Sequence, residues 1–287
     1  MSTVALFLHG GRPEAVRVAT DVCQWLRERG HEVIAAADEG ALLVSDASAG
    51  PGSDSPDQAI DLALAIGGDG TMLRATRRAV EADADVLGIN LGKLGYLTEV
   101  EPGAWERALE GYFAGRHGIT ERLLAATRLR EPGSTNLEHL PSALNEVVVE
   151  KQAMGRTVHL GISIDGQFFT SYVADGVIIA TPTGSTAYSL SARGPIVAPT
   201  HRALLLTAVS PHSLFDRSLV LEPSSTVDVE VLDDRAAVVS VDGEHRNELL
   251  PGSVVTVTAD DRPARFVTFG ERDFHHILKA KFGLNAR

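Results

Sequence analysis

Cysteine is nearly missing from this sequence of 287 residues, in which Cys23 is the only one. A single cysteine excludes an intrachain disulfide and is typical of a reducing compartment, and the helical pattern around Cys23 predicts a buried thiol. Long apolar runs are missing as well, and the sequence does not begin with a basic segment followed by such a run. We therefore expect no membrane-spanning segment and no signal peptide, and we expect a cytoplasmic location.

Basic clusters are also missing, because 26 Lys and Arg residues stand against 38 Asp and Glu residues for a formal net charge of −12. This balance favours solubility and predicts that nucleic acid is not a partner. A phosphorylated ligand would have to be held by local arginines, backbone amides or a metal ion. The histidines lack metal-ligand spacing, so the sequence predicts no structural zinc and no set of metal-ligating side chains.

The chain is organised around the stretch 62–74, which reads Leu-Ala-Leu-Ala-Ile-Gly-Gly-Asp-Gly-Thr-Met-Leu-Arg. The apolar run predicts a buried parallel strand, and residues 71–81 have the spacing of an amphipathic helix. Glycines between a strand and a helix are typical of phosphate-binding turns in α/β proteins. They allow a positive φ and leave bare amides for the ligand.

Asp69 is the unusual residue of this turn, because a carboxylate repels phosphate. Two interpretations are open from the residues alone. Asp69 holds a metal ion or accepts a proton, or it caps the following helix in an ordinary tight turn. A short glycine motif does not decide between them.

Two kinds of pattern divide the chain and predict two domains. Residues 1–118 alternate strands with helices and predict an α/β domain with a parallel sheet. Residues 119–269, including a strand at 264–268, consist of short strands separated by turns and predict a β-rich, sandwich-like domain. A helix within 270–287 is expected to pack back on the first domain. Residues 48–58, rich in Ser, Gly, Pro and Asp, predict an exposed loop.

Three further stretches carry polar side chains that could bind a ligand. The stretch 175–189 joins an apolar strand to a hydroxyl-rich turn, which suits sugar hydroxyls, phosphate or a base edge, although its hydroxyls would also serve as helix caps. Asn145 and Glu146 lie where a strand begins and could bind the vicinal hydroxyls of a ribose, or they are surface residues of an edge strand. Residues 242–244, Asp-Gly-Glu, predict a plain turn.

Together these motifs resemble the NAD kinase family. Residues 67–71 match its first motif, Asn145 and Glu146 match its Asn-Glu pair, and 175–189 match its long second motif. The first motif is shared with lipid kinases and phosphofructokinases, whereas the second is specific to NAD kinases. The resemblance extends from the first strand to the C-terminal helix, and further similar segments are 88–90 and 94–97.

The resemblance implies transfer of a phosphoryl group from ATP, or from polyphosphate, to the 2′-hydroxyl of the adenosine ribose of NAD, giving NADP. It implies a divalent ion such as Mg²⁺ as cofactor, a homodimer or homotetramer, and a cleft between the two domains. It makes Asp69 the general base for the hydroxyl. The implied phosphate-binding residues are Gly67, Gly68, Gly70 and Thr71. The implied substrate-binding residues are Gly70, Arg74, Asn145, Glu146, Arg156, Asp175, Thr183, Thr186, Ala187, Tyr188, Ser189, Leu190, Ser191 and Glu244.

Two positions depart from the family pattern. Arg193 stands where glycine is usual, which changes the local backbone conformation or adds a positive charge near the site. Val173 is apolar where some members carry an arginine, so the preference between NAD and NADH stays open. Two alternatives remain: a kinase of a lipid or sugar that shares only the glycine motif, and a non-catalytic protein that binds NAD or NADP.

Overall fold

The computed structural model of this chain describes all residues except 10, 37, 38, 41, 42, 44–51, 54, 56, 57, 93, 94, 153, 154, 234, 271, 272 and 285–287. The loop predicted at 48–58 therefore lies largely outside the described residues, as does Leu94 of the family-like segment. The chain divides into two compact units, one formed by residues 1–121 and 264–287 and the other by residues 122–263.

The first unit is built on a sheet whose strand order is β3-β2-β1-β4-β5-β19-β6. Pairing is parallel from β3 through β19. The apolar strands β1, β4 and β5 are buried over nearly their whole length, as central strands of a parallel sheet are. The strands are β1 (Thr3–Leu8), β2 (Glu32–Ala35), β3 (Gly52–Ser53), β4 (Leu62–Gly67), β5 (Asp85–Asn90), β6 (Gly118–Arg122) and β19 (Ala264–Thr268).

The helices of the first unit are α1 (Pro13–Glu28), α2 (Asp69–Glu81), α3 (Trp105–Phe113) and α5 (Phe274–Phe282). Helix α1 begins with a proline, which suits the first helical position because that N–H has no partner within the helix. Its apolar face, including Val18, Val22 and Leu26, joins the buried side chains of β1 and β4 in one core.

The second unit is a sandwich of two antiparallel sheets with the orders β11-β10-β15-β18-β7-β8 and β14-β13-β12-β9-β16-β17. Alternate residues of both sheets face each other in a shared apolar core, which is why β7 and β15 alternate buried and partly exposed positions. The strands are β7 (Ala125–Arg130), β8 (Glu138–Ala143), β9 (Glu146–Lys151), β10 (Val158–Ile164), β11 (Gln167–Ala174), β12 (Gly176–Ala180), β13 (Leu204–Val209), β14 (Leu219–Leu221), β15 (Val227–Val231), β16 (Ala237–Val241), β17 (Glu244–Leu249) and β18 (Val254–Ala259).

The outer face of the sheet that contains β12 is also covered. Val148, Ile178, Ala180 and Leu205 form a second apolar cluster on that face. The segment after β12, which contains a 3₁₀ turn (Gly184–Thr186) and the short helix α4 (Tyr188–Ser191), contributes Ala192 to the same cluster. The hydroxyl-rich motif is thereby fixed against its own sheet.

The predicted fold class is confirmed, since a parallel-containing sheet with helices is followed by antiparallel sheets. The strand 264–268 has the predicted bounds; it was expected in the second domain, whereas in the structure it pairs with β5 and belongs to the first compact unit. Among the described residues, no helix has the length and apolar character needed to cross a membrane.

Candidate active-site residues in each unit

The strand order of the first unit places a topological switch point between β1 and β4. The chain runs from β1 outward to β2 and later returns to the other side of β1. Ligands of open α/β sheets bind at the carboxyl ends of the strands beside such a point. A cavity of about 430 Å³ lies there. Its lining residues are Leu8, His9, Gly11, Arg12, Gly68, Gly70, Thr71 and Arg74.

The glycines of the turn provide space and do not adopt a positive φ, contrary to the expectation from the sequence. A Cβ on Gly67 would collide with Oγ1 of Thr71. A Cβ on Gly68 or Gly70 would meet no atom of the described residues within 4 Å, so this part of the chain leaves both positions open. This open space lies at the first turn of α2, where backbone N–H groups attract anions.

Asp69 is the first residue of α2, but its side chain does not cap the helix. The N-cap residue is Gly68, with no side-chain cap bond, so the capping interpretation is wrong. Oδ2 of Asp69 accepts the backbone N–H of Tyr96 at 3.1 Å, and Oδ1 accepts that of Leu97 at 3.1 Å. Bonds to both oxygens fix the orientation of the carboxylate, which is what a positioned general base requires.

Two arginines bring positive charge to the cavity. Arg74 forms an ion pair with Glu39 through Nη1 and donates from Nη2 to the carbonyl of Leu8 at 2.8 Å. Arg12, directly before α1, donates from Nη1 to the carbonyl of Leu91 at 2.6 Å. A guanidinium has five N–H donors, so each arginine keeps donors for an anion. Arg74 was expected from the resemblance. Arg12 was missed, because only the strand order brings the end of β1 next to the glycine turn.

In the second unit, antiparallel pairing gathers the remaining motifs at one end of a sheet. Strand β9 pairs with β12 on one side and β16 on the other, placing Glu146 opposite Ala180 and Val147 opposite Val241. The start of β9 therefore lies beside the ends of β12 and β16. Asn145, the hydroxyl-rich turn after β12 and Asp242 after β16 meet at this point.

The hydroxyl groups of this turn fall into two classes. Those of Thr181 and Ser185 form hydrogen bonds with backbone groups of the turn and neighbouring loops, and they hold the motif together. The Oγ atoms of Thr183 and Ser189 are buried and have no hydrogen-bond partner among the described residues. Because buried polar atoms are nearly always paired, these two are candidate ligand contacts.

Glu146 is a buried acid, with only 7% of its surface exposed. Burial, and then the nearby charge of Asp242, raise its pKa to about 8, while a hydrogen bond from the backbone N–H of Tyr188 acts in the opposite direction. Its Oε2 atom has no hydrogen-bond partner in the described part of the chain. A carboxyl group with this pKa is largely protonated near neutral pH, so it both donates and accepts hydrogen bonds, as a ribose hydroxyl requires.

Asp175 lies at the other end of β12 from the hydroxyl-rich turn, and its carboxylate forms an ion pair with Lys151. Burial, followed by the negative charges of Glu150, Asp175 and Glu146, raises the pKa of the Tyr188 phenol.

The other residues implied by the resemblance have less specific surroundings. The hydroxyl of Thr186 donates to the carbonyl of Thr183 at 3.3 Å. Arg156 is exposed in the connection from β9 to β10, which leads into the other sheet of the sandwich. Half-buried positions are Ala187, Leu190 and Glu244, and Ser191 is exposed.

The side chains of the candidate site suit a metal ion only when substrate phosphates supply the remaining ligands. No group of three or more His, Cys, Asp or Glu side chains that could hold a metal occurs within the described residues. Mg²⁺ is usually bound by one or two carboxylates together with substrate phosphates. Asp69, beside the open amides of the glycine turn, fits that kind of binding.

Comparison with known proteins gives a consistent family. Models of the ATP-NAD kinase N-terminal and C-terminal domains match residues 4–117 and 144–269. The NAD kinase of Heliobacterium modesticaldum is 39% identical over 282 residues, which cover 98% of each chain. The NAD kinase of Syntrophotalea carbinolica is 35% identical over 288 residues, which cover 100% of each chain.

Solved structures give the same result. The crystal structure of yeast NADH kinase complexed with NADH has a TM-score of 0.91 at 26% identity, covering 100% of this chain and 89% of that one. An NAD kinase from Archaeoglobus fulgidus in complex with ATP has a TM-score of 0.70 at 21% identity, covering 98% of this chain and 97% of that one, and it supports the fold alone. With both domain models matched and full-length relatives above one-third identity, the chain belongs to the NAD kinase family.

Proposed function

We propose that this enzyme transfers the terminal phosphoryl group of ATP to the 2′-hydroxyl of the adenosine ribose of NAD, forming NADP. One observation carries the proposal. The carboxylate of Asp69 is held by two backbone amides, and the residues on either side of it in the sequence, Gly68 and Gly70, line an open cavity together with two arginines. Phosphoryl transfer depends mainly on positioning and charge neutralisation, and this turn supplies both.

The first unit holds the phosphates in this proposal. The amides at Gly68 and Gly70 and the guanidinium groups of Arg12 and Arg74 bind the phosphate oxygens, and Gly67 and Thr71 keep the turn compact. Helix N-termini and guanidinium groups both favour anions. Polyphosphate offers the same oxygens, so it is the second donor to be tested.

Asp69 acts as the general base. A ribose hydroxyl is a weak nucleophile while it keeps its proton, and a carboxylate within hydrogen-bond reach can orient it and accept that proton. The hydrogen bonds from the backbone N–H groups of Tyr96 and Leu97 hold the carboxylate in one orientation. Asp69 accepts a proton and forms no covalent bond with the substrate. Bound Mg²⁺, held by the nucleotide phosphates and Asp69, would neutralise charge on the transferred group.

The second unit binds the dinucleotide. Asn145 and Glu146 bind ribose hydroxyls, and the buried hydroxyls of Thr183 and Ser189, which have no partner among the described residues, accept or donate further hydrogen bonds. Tyr188, exposed beside them, offers an aromatic ring and a phenol. Supporting contacts are proposed from Asp175, Thr186, Ala187, Leu190, Ser191, Glu244 and Arg156.

We also propose a homodimer or homotetramer formed through the second unit. Phe168 is 68% exposed and Phe169 is 44% exposed on β11, which ends the sheet order. Exposed aromatic side chains on a strand edge are typical of protein interfaces. Light scattering that shows a monomer at micromolar concentration would contradict this assembly.

A cytoplasmic location is proposed too, since the buried thiol of Cys23 needs no oxidising compartment.

The test is direct incubation of the purified protein with NAD and Mg²⁺, with ATP or polyphosphate as donor, scored for NADP. A parallel reaction with NADH measures the cofactor preference that Val173 leaves open. We expect NADP from at least one donor. NAD binding without any turnover would instead support the non-catalytic alternative, and phosphorylation of a lipid or sugar without NADP formation would support the other kinase.

A further inference from the structure

Asp242 forms an unusual set of bonds with the chain before β9. It begins the two-residue turn between β16 and β17, with φ 51° at Asp242 and φ 78° at Gly243. Its carboxylate accepts three consecutive backbone N–H groups, those of Leu144 at 2.8 Å, Asn145 at 2.7 Å and Glu146 at 3.1 Å. Its own N–H donates to the carbonyl of Glu146 at 3.0 Å.

These four bonds connect residues that lie almost one hundred positions apart in the sequence. Three neighbouring N–H groups that point the same way form an anion-binding concavity, and here a carboxylate fills it. The backbone at Asn145 and Glu146 is thereby fixed in place. The backbone of Asn145 also contacts the hydroxyl-rich turn. Its carbonyl accepts the N–H of Thr181 at 2.9 Å, and it lies so close to Gly184 that no Cβ would fit there.

The same charge acts on the neighbouring acid. After burial, the negative charge of Asp242 is the next largest cause of the raised pKa of Glu146. The turn therefore influences both the position and the protonation of the buried carboxyl group.

We propose that Asp242 is a positioning residue for dinucleotide binding, which holds Asn145 and Glu146 where they contact the ribose. This inference rests on the proposed function of the second unit. Asp242 itself needs no contact with the substrate, because it acts through the backbone of residues 144–146.

The chain contains a matched control in Asp165. Asp165 and Gly166 form the turn between β10 and β11 with nearly the same geometry, φ 52° and φ 75°. The carboxylate of Asp165 also accepts a distant backbone N–H, that of Thr226 at 2.8 Å. It lies in the other sheet of the sandwich, and within the described part of the chain its side chain is hydrogen-bonded to Ser225 and Thr226, which are outside the proposed site.

The test compares Asp242→Asn with Asp165→Asn in the full-length enzyme. An asparagine cannot accept three N–H groups, because its amide nitrogen is a donor. We expect both variants to lose stability, and only Asp242→Asn to raise KM and Kd for NAD by about 10- to 100-fold, with kcat and KM for ATP changed no more than a few-fold. If Asp242→Asn does not fold, Asp242→Ser, which keeps one acceptor oxygen, takes its place.

A second measurement separates positioning from general destabilisation. In an Asn145→Ala, Glu146→Gln background, Asp242→Asn should change Kd for NAD by only a few-fold, because the groups through which it acts are gone. The inference would be overturned by equal KM values for NAD in Asp242→Asn and Asp165→Asn. It would also be overturned if Asp242→Asn raised Kd for NAD in that background as much as in the wild type. In either case, turnover of NAD by the wild-type enzyme would leave the proposed function standing. A wild-type enzyme that neither converts nor binds NAD would overturn both.

Discussion

Gly95 has no room for a side chain, because a Cβ added there would lie 2.5 Å from Oδ1 of Asp69. The two residues after Gly95 donate the N–H groups that hold the Asp69 carboxylate. The loop thus approaches Asp69 as closely as its backbone allows. Lys281 of α5 lies over the ring of Tyr96 at 4.3 Å from its centroid, and this contact restrains the same loop.

Gly95→Ala should displace the Asp69 carboxylate and lower kcat without changing Kd for NAD. A misplacement of about 1 Å in a reacting group can cost on the order of 10²-fold in rate. Gly103→Ala is the control, because a Cβ at that exposed glycine of the same unit meets no atom within 4 Å. Steady-state kinetics and calorimetric titration with NAD give both quantities. Wild-type kcat in Gly95→Ala would show that the orientation of Asp69 does not matter.

Gly70→Ala distinguishes an effect on phosphate binding from an effect on the stability of the fold. A Cβ at position 70 meets no atom of the described residues within 4 Å, and alanine favours a helix over glycine, so unfolding should require about 0.5–1 kcal/mol more free energy. The same methyl group occupies space proposed for phosphate, so KM for ATP should rise by about tenfold or more. Urea unfolding and ATP titration of the rate measure the two effects. Unchanged KM for ATP would remove Gly70 from the phosphate site.

Arg193→Gly should stabilise the protein. Arg193 has φ 67° and follows Ala192, the C-cap residue of α4, and its N–H donates to the carbonyl of Leu190 at 3.0 Å. Helices favour glycine at this position. Glycine relieves this backbone strain but gives the unfolded chain more conformational entropy. The relief should be the larger effect, so the free energy of unfolding should rise by about 0.5–1 kcal/mol. The neighbouring Ala192→Gly, at φ −85°, should destabilise instead. Urea unfolding measures the stability of both variants. A loss of stability in Arg193→Gly would show that the backbone of Arg193 is not strained.

Glu146→Gln should make stability less dependent on pH. The pKa of Glu146 is about 8 in the folded protein against an ordinary value of 4.5, so the folded state keeps a proton that the unfolded state has lost between these values. Wild-type stability should therefore fall as pH rises through this window, by up to about 1.4 kcal/mol per pH unit, and level off above it. The advantage of Glu146→Gln in unfolding free energy should grow from about pH 5 to pH 8. A constant difference across that range would mean that Glu146 is ionised in the fold.

The sequence predicted those elements whose side-chain pattern is local. Helix α5 lies within the range predicted for a C-terminal helix, 270–287, because helical spacing is a property of neighbouring residues. The pairing of strand 264–268 with β5 of the first unit was not predicted, because a strand pattern does not specify its partner. Strands such as β8, with its Pro141, lack a continuous apolar pattern, so the sequence does not mark where they begin and end.

The candidate site shows the same division. The motifs at Asp69, Asn145 and Thr183 are recognisable because each is contiguous in the sequence. Arg12 and Asp242 reach the site only through strand order and antiparallel pairing, so an Asp-Gly pair such as 242–243 looked like a plain turn. The hydrogen bonds of the carboxylates, which decide that Asp69 does not cap its helix, depend on loops distant in sequence.

The most direct test of the account is the rate of the Asp69→Asn variant together with its affinity for NAD. Asparagine keeps the size of the side chain and can still accept one of the N–H groups of Tyr96 and Leu97, but it cannot accept a proton from the ribose. We predict that kcat falls by about 10²–10⁴-fold while Kd for NAD stays within a few-fold of wild type. A kcat within a few-fold of wild type would contradict the central claim that Asp69 is the general base.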